Sequence, residues 1–378
     1  MCLCAYGCPL PEPAGVLSQL APRLQRGYLT YFIVMYADEI ASTSVDRPIA
    51  VVADRTSSAR PPFDQELVPV LAAMREATPT TNQENLPEVR SLIADGIPGV
   101  PKPDLTAGGA VVIDQITVTG PEDAPNLRMT VLRPAQGQGP WPAIYHVHGG
   151  GMVAGTPETM LDAFVPYVHE VGVVVISVDY RLAPEHPYPA PIEDCYAGLR
   201  WLAENADELG VDSARIMIAG TSAGGGLAAA TALMARDRGF PALTHQILLC
   251  PMLDDRCQTS SSQMLVGEGL WERDENEFGW SSLLGERRGG PDVSPYAAPA
   301  RAEDLSALPR TFISVGSVDT FRDEALDYAT RLSQAGVSVD FHLWGGGFHG
   351  FDLLPTQSAI GQVAGVTRDE FLRRALEK

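Results

Sequence analysis

From Val111 onward the chain alternates short apolar runs with longer amphipathic ones. Val111–Val118 and Leu127–Arg133 each alternate apolar and polar residues, with Gly120–Asp123 as the turn between them. This predicts two strands in an antiparallel opening. Ala143–Val147 is a third strand. Helical spacing follows from Thr159 to Val171, after Gly155. Val173–Val178 is a continuous, mostly β-branched run, the pattern of a strand buried on both faces. A helix over Ile192–Asn205, strands at Ile216–Ala219, Ile247–Cys250, Thr311–Val315 and Val337–Trp344, and helices at Arg322–Gln334 and Thr367–Leu376 complete the rhythm. Alternation of this kind predicts an α/β fold: a mostly parallel sheet of about eight strands with helices on both faces. Upstream, Phe63–Met74 and Leu86–Ile97 have helical spacing, and Pro98, Pro101 and Pro103 stop the second helix. Leu253–Pro299 breaks the pattern. It contains Trp271, Phe278 and Trp280, is too long for an ordinary connection, and reads as an insertion over the site.

Composition narrows this reading. The chain has 378 residues, 45% of them hydrophobic, which suits one large domain with an accessory piece or two modest domains. A net charge of −20 argues against nucleic acid and anionic membrane as partners. No segment reaches the ~18 apolar residues that span a bilayer. The apolar stretch Tyr28–Ala37, preceded by Arg23 and Arg26, faintly resembles a signal sequence but lacks a small-residue cleavage site. Residues 1–60 differ in composition from the rest. They read as a poorly ordered leader or an upstream extension of the reading frame. Cys2, Cys4, Cys8, Cys195, Cys250 and Cys257 form no disulfide framework, so a reducing, cytoplasmic compartment is expected. No histidine lies near Cys2, Cys4 and Cys8 to make a metal site of them.

The candidate chemistry centres on Gly220–Gly224, a Gly-x-Ser-x-Gly between a predicted strand and a predicted helix. A turn this sharp needs almost no side chain two residues before and two after Ser222, and it presents the hydroxyl at a helix N-terminus. By itself the pentapeptide is weak evidence, because Gly, Ser and Ala are common and a helix-entry turn would use the same residues. Acyl transfer by a serine also needs a base, a group that orients the base, and donors for the oxyanion. His349, in the glycine-rich loop after the last strand, is the candidate base. His342 lies within the strand pattern, and His146, His169, His186 and His245 have no better claim. Asp319, directly after Thr311–Val315, is the candidate orienting acid. Its rivals are Asp323 and Glu324, at a helix start where acids have a structural reason to sit, and Asp254 and Asp255. The glycines of His148–Gly151 could turn their N–H groups toward a carbonyl, with Ala223 N–H as a further donor. A phosphate loop would want a lysine that is absent.

His148–Gly151, Asp179–His186, Gly220–Gly224 and the surroundings of His349–Phe351, in this order and spacing, resemble the hormone-sensitive lipase family of esterases. The resemblance covers about residues 61–378. It implies an α/β-hydrolase fold and hydrolysis of short to medium carboxylic esters through an acyl-enzyme, with Ser222, Asp319 and His349 as the triad. It implies Gly149, Gly150, Gly151 and Ala223 as the oxyanion donors, and no metal or cofactor. It also implies a helical cap built from residues 61–110 and the insertion at about 253–299, on a catalytic domain of residues 111–378. A homodimer is an expectation by resemblance alone. Members usually carry a proline after the triad acid, where this chain has Thr320. Asp179 and Arg181 are expected to pair, with Asp194 a further partner in the same shell, and Tyr180 is a candidate substrate contact. An amidase, lactonase or carbamate hydrolase would use the same triad. A small-molecule receptor on this scaffold would lack the base.

Overall fold

The computed structural model describes residues 60–96, 101–354 and 357–377. Most of the expected leader, with the Tyr28–Ala37 stretch and Cys2, Cys4 and Cys8, lies outside the described residues. Among those described, no helix is long and apolar enough to cross a membrane.

Two N-terminal helices, α1 (Val68–Ala77) and α2 (Leu86–Asp95), start at prolines in their first turn, where the missing N–H costs nothing. The sheet follows: β1 (Val111–Val118), β2 (Leu127–Pro134), β3 (Trp141–Val147), β4 (Val174–Val178), β5 (Val211–Thr221), β6 (His245–Leu249), β7 (Arg310–Val318) and β8 (Val339–Phe348). Their order is β1-β2-β4-β3-β5-β6-β7-β8. The β1–β2 and β2–β4 pairs are antiparallel and all later pairs parallel. This is the expected α/β architecture with its antiparallel opening.

The two faces of the sheet divide the apolar residues by strand alternation. Val174, Ile176, Ile216 and Ile218 enter one core, and Val175, Met217 and Ala219 enter another. Helices α3 (Ala190–Glu204) and α4 (Ala223–Arg238) cover the first face. Residues 223–235 of α4 are all buried, which explains their uncharged and mostly small side chains. The C-terminal helix packs Phe371, Leu372 and Leu376 against the second face.

Three expectations are corrected. Residues 161–172 form short 3₁₀, α and π turns rather than one helix, with Pro166 inside them and Gly172 closing them. The last helix begins at Ala359, well before Thr367, with Ser358 as its cap. β8 runs on through the glycines to Phe348, pairing Val318 with Phe348 across an irregularity in register. The stretch at about 253–299, expected as an insertion, carries α5 (Ser260–Met264) and α6 (Arg273–Leu284). α7 (Arg322–Gln334) follows β7, and the C-terminal helix Ala359–Leu376 is α8.

The crossover places β4 on one side of β3 and β5 on the other. Beyond the carboxyl ends of β3 and β5 is therefore a switch point, where open α/β sheets form their crevice. The His148–Gly151 loop and Ser222 both lie there.

Candidate active site

Ser222 stands between β5 and α4 with φ 58° and ψ −123°, a backbone conformation that non-glycine residues rarely adopt. The flanking glycines make it feasible. A Cβ on Gly220 would collide with the Gly224 carbonyl, and one on Gly224 with the carbonyls of Val147 and His148. The turn is lashed to the end of β6 on both sides. Ser222 N donates to Leu249 O at 2.8 Å, and Met252 N to Ser222 O at 3.0 Å.

His349, in the loop after β8, has Nε2 3.0 Å from Ser222 Oγ and Nδ1 3.0 Å from Asp319 Oδ2. Asp319 is fully buried, and its other oxygen accepts from Phe321 N at 2.8 Å. The imidazole edge meets the Phe321 ring at 5.2 Å. The three predicted side chains thus form one hydrogen-bonded line from β5, β7 and β8.

The rival acids are engaged elsewhere. Glu324 is buried and accepts from Leu253 N and Asp254 N. Burial holds its carboxyl well above the ordinary range. Asp323 accepts from Ser261 N, Asp254 pairs with Arg256, and Asp255 with Arg301. His342 lies on β8 against Trp344, and buried His146 is pushed down to about 3.

Gly149 sits against Ser222: a Cβ there would be 3.5 Å from Ser222 Cβ. Gly150 and Gly151 have φ of 115° and 62°, which fold the loop back on itself. Val153 N and Ala154 N close it on Gly150 O. Among the described residues, the N–H groups of Gly149, Gly150 and Gly151 donate to no protein acceptor. Ala223 N–H is at the first position of α4, where helical N–H groups have no partner within the helix. Free donors and the Ser222 hydroxyl therefore share one crevice.

Two contact expectations are corrected. Tyr180 is buried, stacks on His148 at 4.1 Å, and gives its hydroxyl proton to His148 O at 2.9 Å. It braces the glycine loop at His148, with its side chain buried and its hydroxyl already engaged. Asp179 pairs with Arg128, whereas Arg181 grips buried Asp194 through two guanidinium nitrogens and its own main-chain N–H.

Sequence reasoning missed two residues at the site, Cys250 and Arg90, and named a third, Trp271, only as an aromatic of the stretch expected over the site. Cys250 follows β6 and donates N–H to Ser314 O at 2.7 Å. Its thiol, one His349 ring nitrogen and one Asp319 oxygen lie within 4.8 Å of one another. Its position at a strand's carboxyl end was the available signal. Among the described residues this is the one trio with metal-ligand proximity, and its imidazole and carboxylate are already joined to each other and to Ser222. Arg90 of α2 donates to Val153 O and Ala183 O and pairs with Glu185, tying an N-terminal helix to the glycine loop. Trp271 packs on Gly151. No local pattern announces either partner. Of the insertion's other aromatics, Trp280 is core rather than pocket wall. A separate polar cavity of about 690 Å³, lined in part by Asp254, Arg256 and Arg331, includes none of the three aligned residues.

A family model described as alpha/beta hydrolase fold matches residues 144–353. The chain is 35% identical to Esterase LipI of Mycobacterium tuberculosis over 294 residues, which are 76% of this chain and 88% of that protein. It is 42% identical to Carboxylesterase NlhH of the same species over 207 residues, 53% of this chain and 63% of that one. Among solved structures, Bacterial Heroin Esterase superposes with a TM-score of 0.76 at 38% identity, covering 83% of this chain and 98% of its own.

Proposed function

The chain belongs to the α/β-hydrolase fold family, in the branch of hormone-sensitive lipase-like esterases, and is a carboxylic-ester hydrolase; on that premise we propose that Ser222, His349 and Asp319 carry the reaction on short to medium acyl esters. The observation that best supports this is His349, hydrogen-bonded at 3.0 Å to Ser222 on one nitrogen and to Asp319 on the other. His349 Nε2 takes the Ser222 proton as Oγ attacks the ester carbonyl. Asp319 keeps the remaining ring proton on Nδ1 and balances the imidazolium. The N–H groups of Ala223 and of Gly149, Gly150 or Gly151 receive the negative charge that develops on the carbonyl oxygen. His349 then protonates the leaving alcohol, and water activated by the same nitrogen releases the acid from Ser222.

The test is a panel of p-nitrophenyl esters from acetate to decanoate, with p-nitroanilides, lactones and carbamates beside them. The shorter esters should be hydrolysed fastest. Faster cleavage of an anilide, lactone or carbamate would move the bond; no turnover at all, with tight binding of a panel member, would point to a receptor.

The pH dependence follows from the ring's surroundings. Burial works against the imidazolium, but Cys250 and Asp319 beside it favour it, and His349 is held well above its ordinary 6.5. The base must be neutral to act, so a raised value moves the acid limb of kcat/KM toward alkaline pH. Activity should therefore still be rising above pH 6.5, beyond the ~6.5 of an unperturbed histidine. A profile from pH 5 to 9 that is already flat at pH 6 would contradict this.

A further inference from the structure

Trp271 and Thr320 join two parts of the site that no hydrogen bond of the triad connects. Trp271 lies in the insertion just before α6, and its ring occupies the space beside Gly151 where a Cβ would collide with it. Gly279 of α6 presses on the same place. A Cβ there would stand 3.0 Å from Gly151 O and 3.4 Å from the Trp271 ring. The oxyanion-loop glycine is thus wedged by two residues of the insertion.

The other end of the wedge reaches the acid. Trp271 O accepts a 2.6 Å hydrogen bond from Oγ1 of Thr320, the residue after Asp319. Thr320 is fully buried, and its own carbonyl accepts from Ser261 Oγ at 2.9 Å. Ser261 Oγ in turn accepts from Asp323 N at 3.0 Å. The indole N–H of Trp271 is buried without a partner among the described residues. Packing on Gly151 and the main-chain bond to Thr320, not its own donor, therefore place the ring. A proline at position 320, usual in the family this chain resembles, has no hydroxyl to give.

We propose that Thr320 and Trp271 are positioning residues that fix the oxyanion loop relative to the Asp319–His349–Ser222 line. The proposal rests on the serine-hydrolase reading of the site. Oxyanion donors act on charge that exists only in the transition state, so loosening Gly151 should lower kcat and leave KM nearly unchanged. One lost donor costs ~10²–10³ in kcat; a donor present but less well held should cost part of that, about 10-fold.

The experiment measures kcat and KM on a p-nitrophenyl ester, the Ki of a trifluoromethyl ketone that forms a tetrahedral adduct, and the melting temperature. The variants are Thr320→Val, Thr320→Ser, Trp271→Phe and Trp271→Ala. Thr320→Val keeps the shape and loses the hydroxyl. It should lose about 10-fold in kcat with KM within about twofold, and bind the ketone more weakly by a similar factor. Thr320→Ser should recover most of the loss. Trp271→Ala should fall further than Trp271→Phe. The link is overturned if Thr320→Val keeps wild-type kcat and ketone affinity, if Thr320→Ser is as impaired as Thr320→Val, or if KM alone rises. Should Thr320→Val not fold, Trp271→Phe against Trp271→Ala decides by the same kcat and ketone criteria. A wild type that hydrolyses no ester fails the serine-hydrolase reading itself; an active wild type with unaffected variants fails only the link.

Discussion

Ser222→Ala is expected to lower kcat on p-nitrophenyl esters by ~10³-fold or more while the protein stays folded. The hydroxyl is the attacking atom in the proposed reaction, and its one side-chain partner among the described residues is His349 Nε2 at 3.0 Å. It does not cap α4. The bonds that hold the elbow are made by the Ser222 main chain to Leu249 and Met252, and alanine keeps both. The unusual backbone conformation stays as it was, so stability should change by no more than about 1 kcal/mol, the scale of one lost hydrogen bond. KM should move little, because the ester still meets the same walls and donors. Wild type should also release a burst of p-nitrophenol equal to the enzyme concentration, and the variant none. Activity surviving in Ser222→Ala would place the nucleophile elsewhere and undo the proposed chemistry.

What could be read from the sequence was what local sterics and periodicity impose. The elbow was legible because Gly220 and Gly224 each abut a carbonyl that excludes any Cβ. The buried strands were legible because β4 faces a core on both sides and therefore contains no polar alternation. Asp319 and His349 were legible because each directly follows a strand at the end of the sheet where Ser222 emerges. Three kinds of information were not local. The glycines after Trp344 look like a loop, yet they pair with β7, and only the neighbouring strand decides that. Gly361 and Gly365 weaken the helical signal of α8, whose beginning is supported by the Ser358 cap and by packing of Ala364 against Phe348 and its neighbours. Of the two partners expected around Arg181, adjacency in sequence put Asp179 first, whereas the loop geometry brings buried Asp194 to the guanidinium. Tyr180 was misplaced for the same reason: an aromatic residue in a family motif looks like a substrate contact until its hydroxyl is found spent on the His148 carbonyl.

The identity of the orienting acid rests on a second large effect. Asp319→Asn should lower kcat by on the order of 10⁴-fold, with the fold and the Ser222–His349 distance retained. The carboxylate is fully buried and accepts from both Phe321 N and His349 Nδ1. An amide in its place must either offer its NH₂ to one of these donors or present its single oxygen to only one of them. Phe321 N is a fixed main-chain donor, so the amide oxygen goes there and the NH₂ faces His349. That favours the ring proton on Nε2, where it blocks removal of the Ser222 proton. The charge that helps raise His349 is also gone, so the residual activity should show its acid limb at lower pH than wild type. Glu324→Gln is the matching control. Burial already favours the protonated form of Glu324, and a glutamine oxygen can still accept from Leu253 and Asp254. Its kcat should stay within about threefold of wild type, because it loses neither a needed charge nor an acceptor. If Glu324→Gln fell by thousands and Asp319→Asn did not, the acid assignment would have to pass to Glu324, and the 3.0 Å contact between Asp319 and His349 would be structural only.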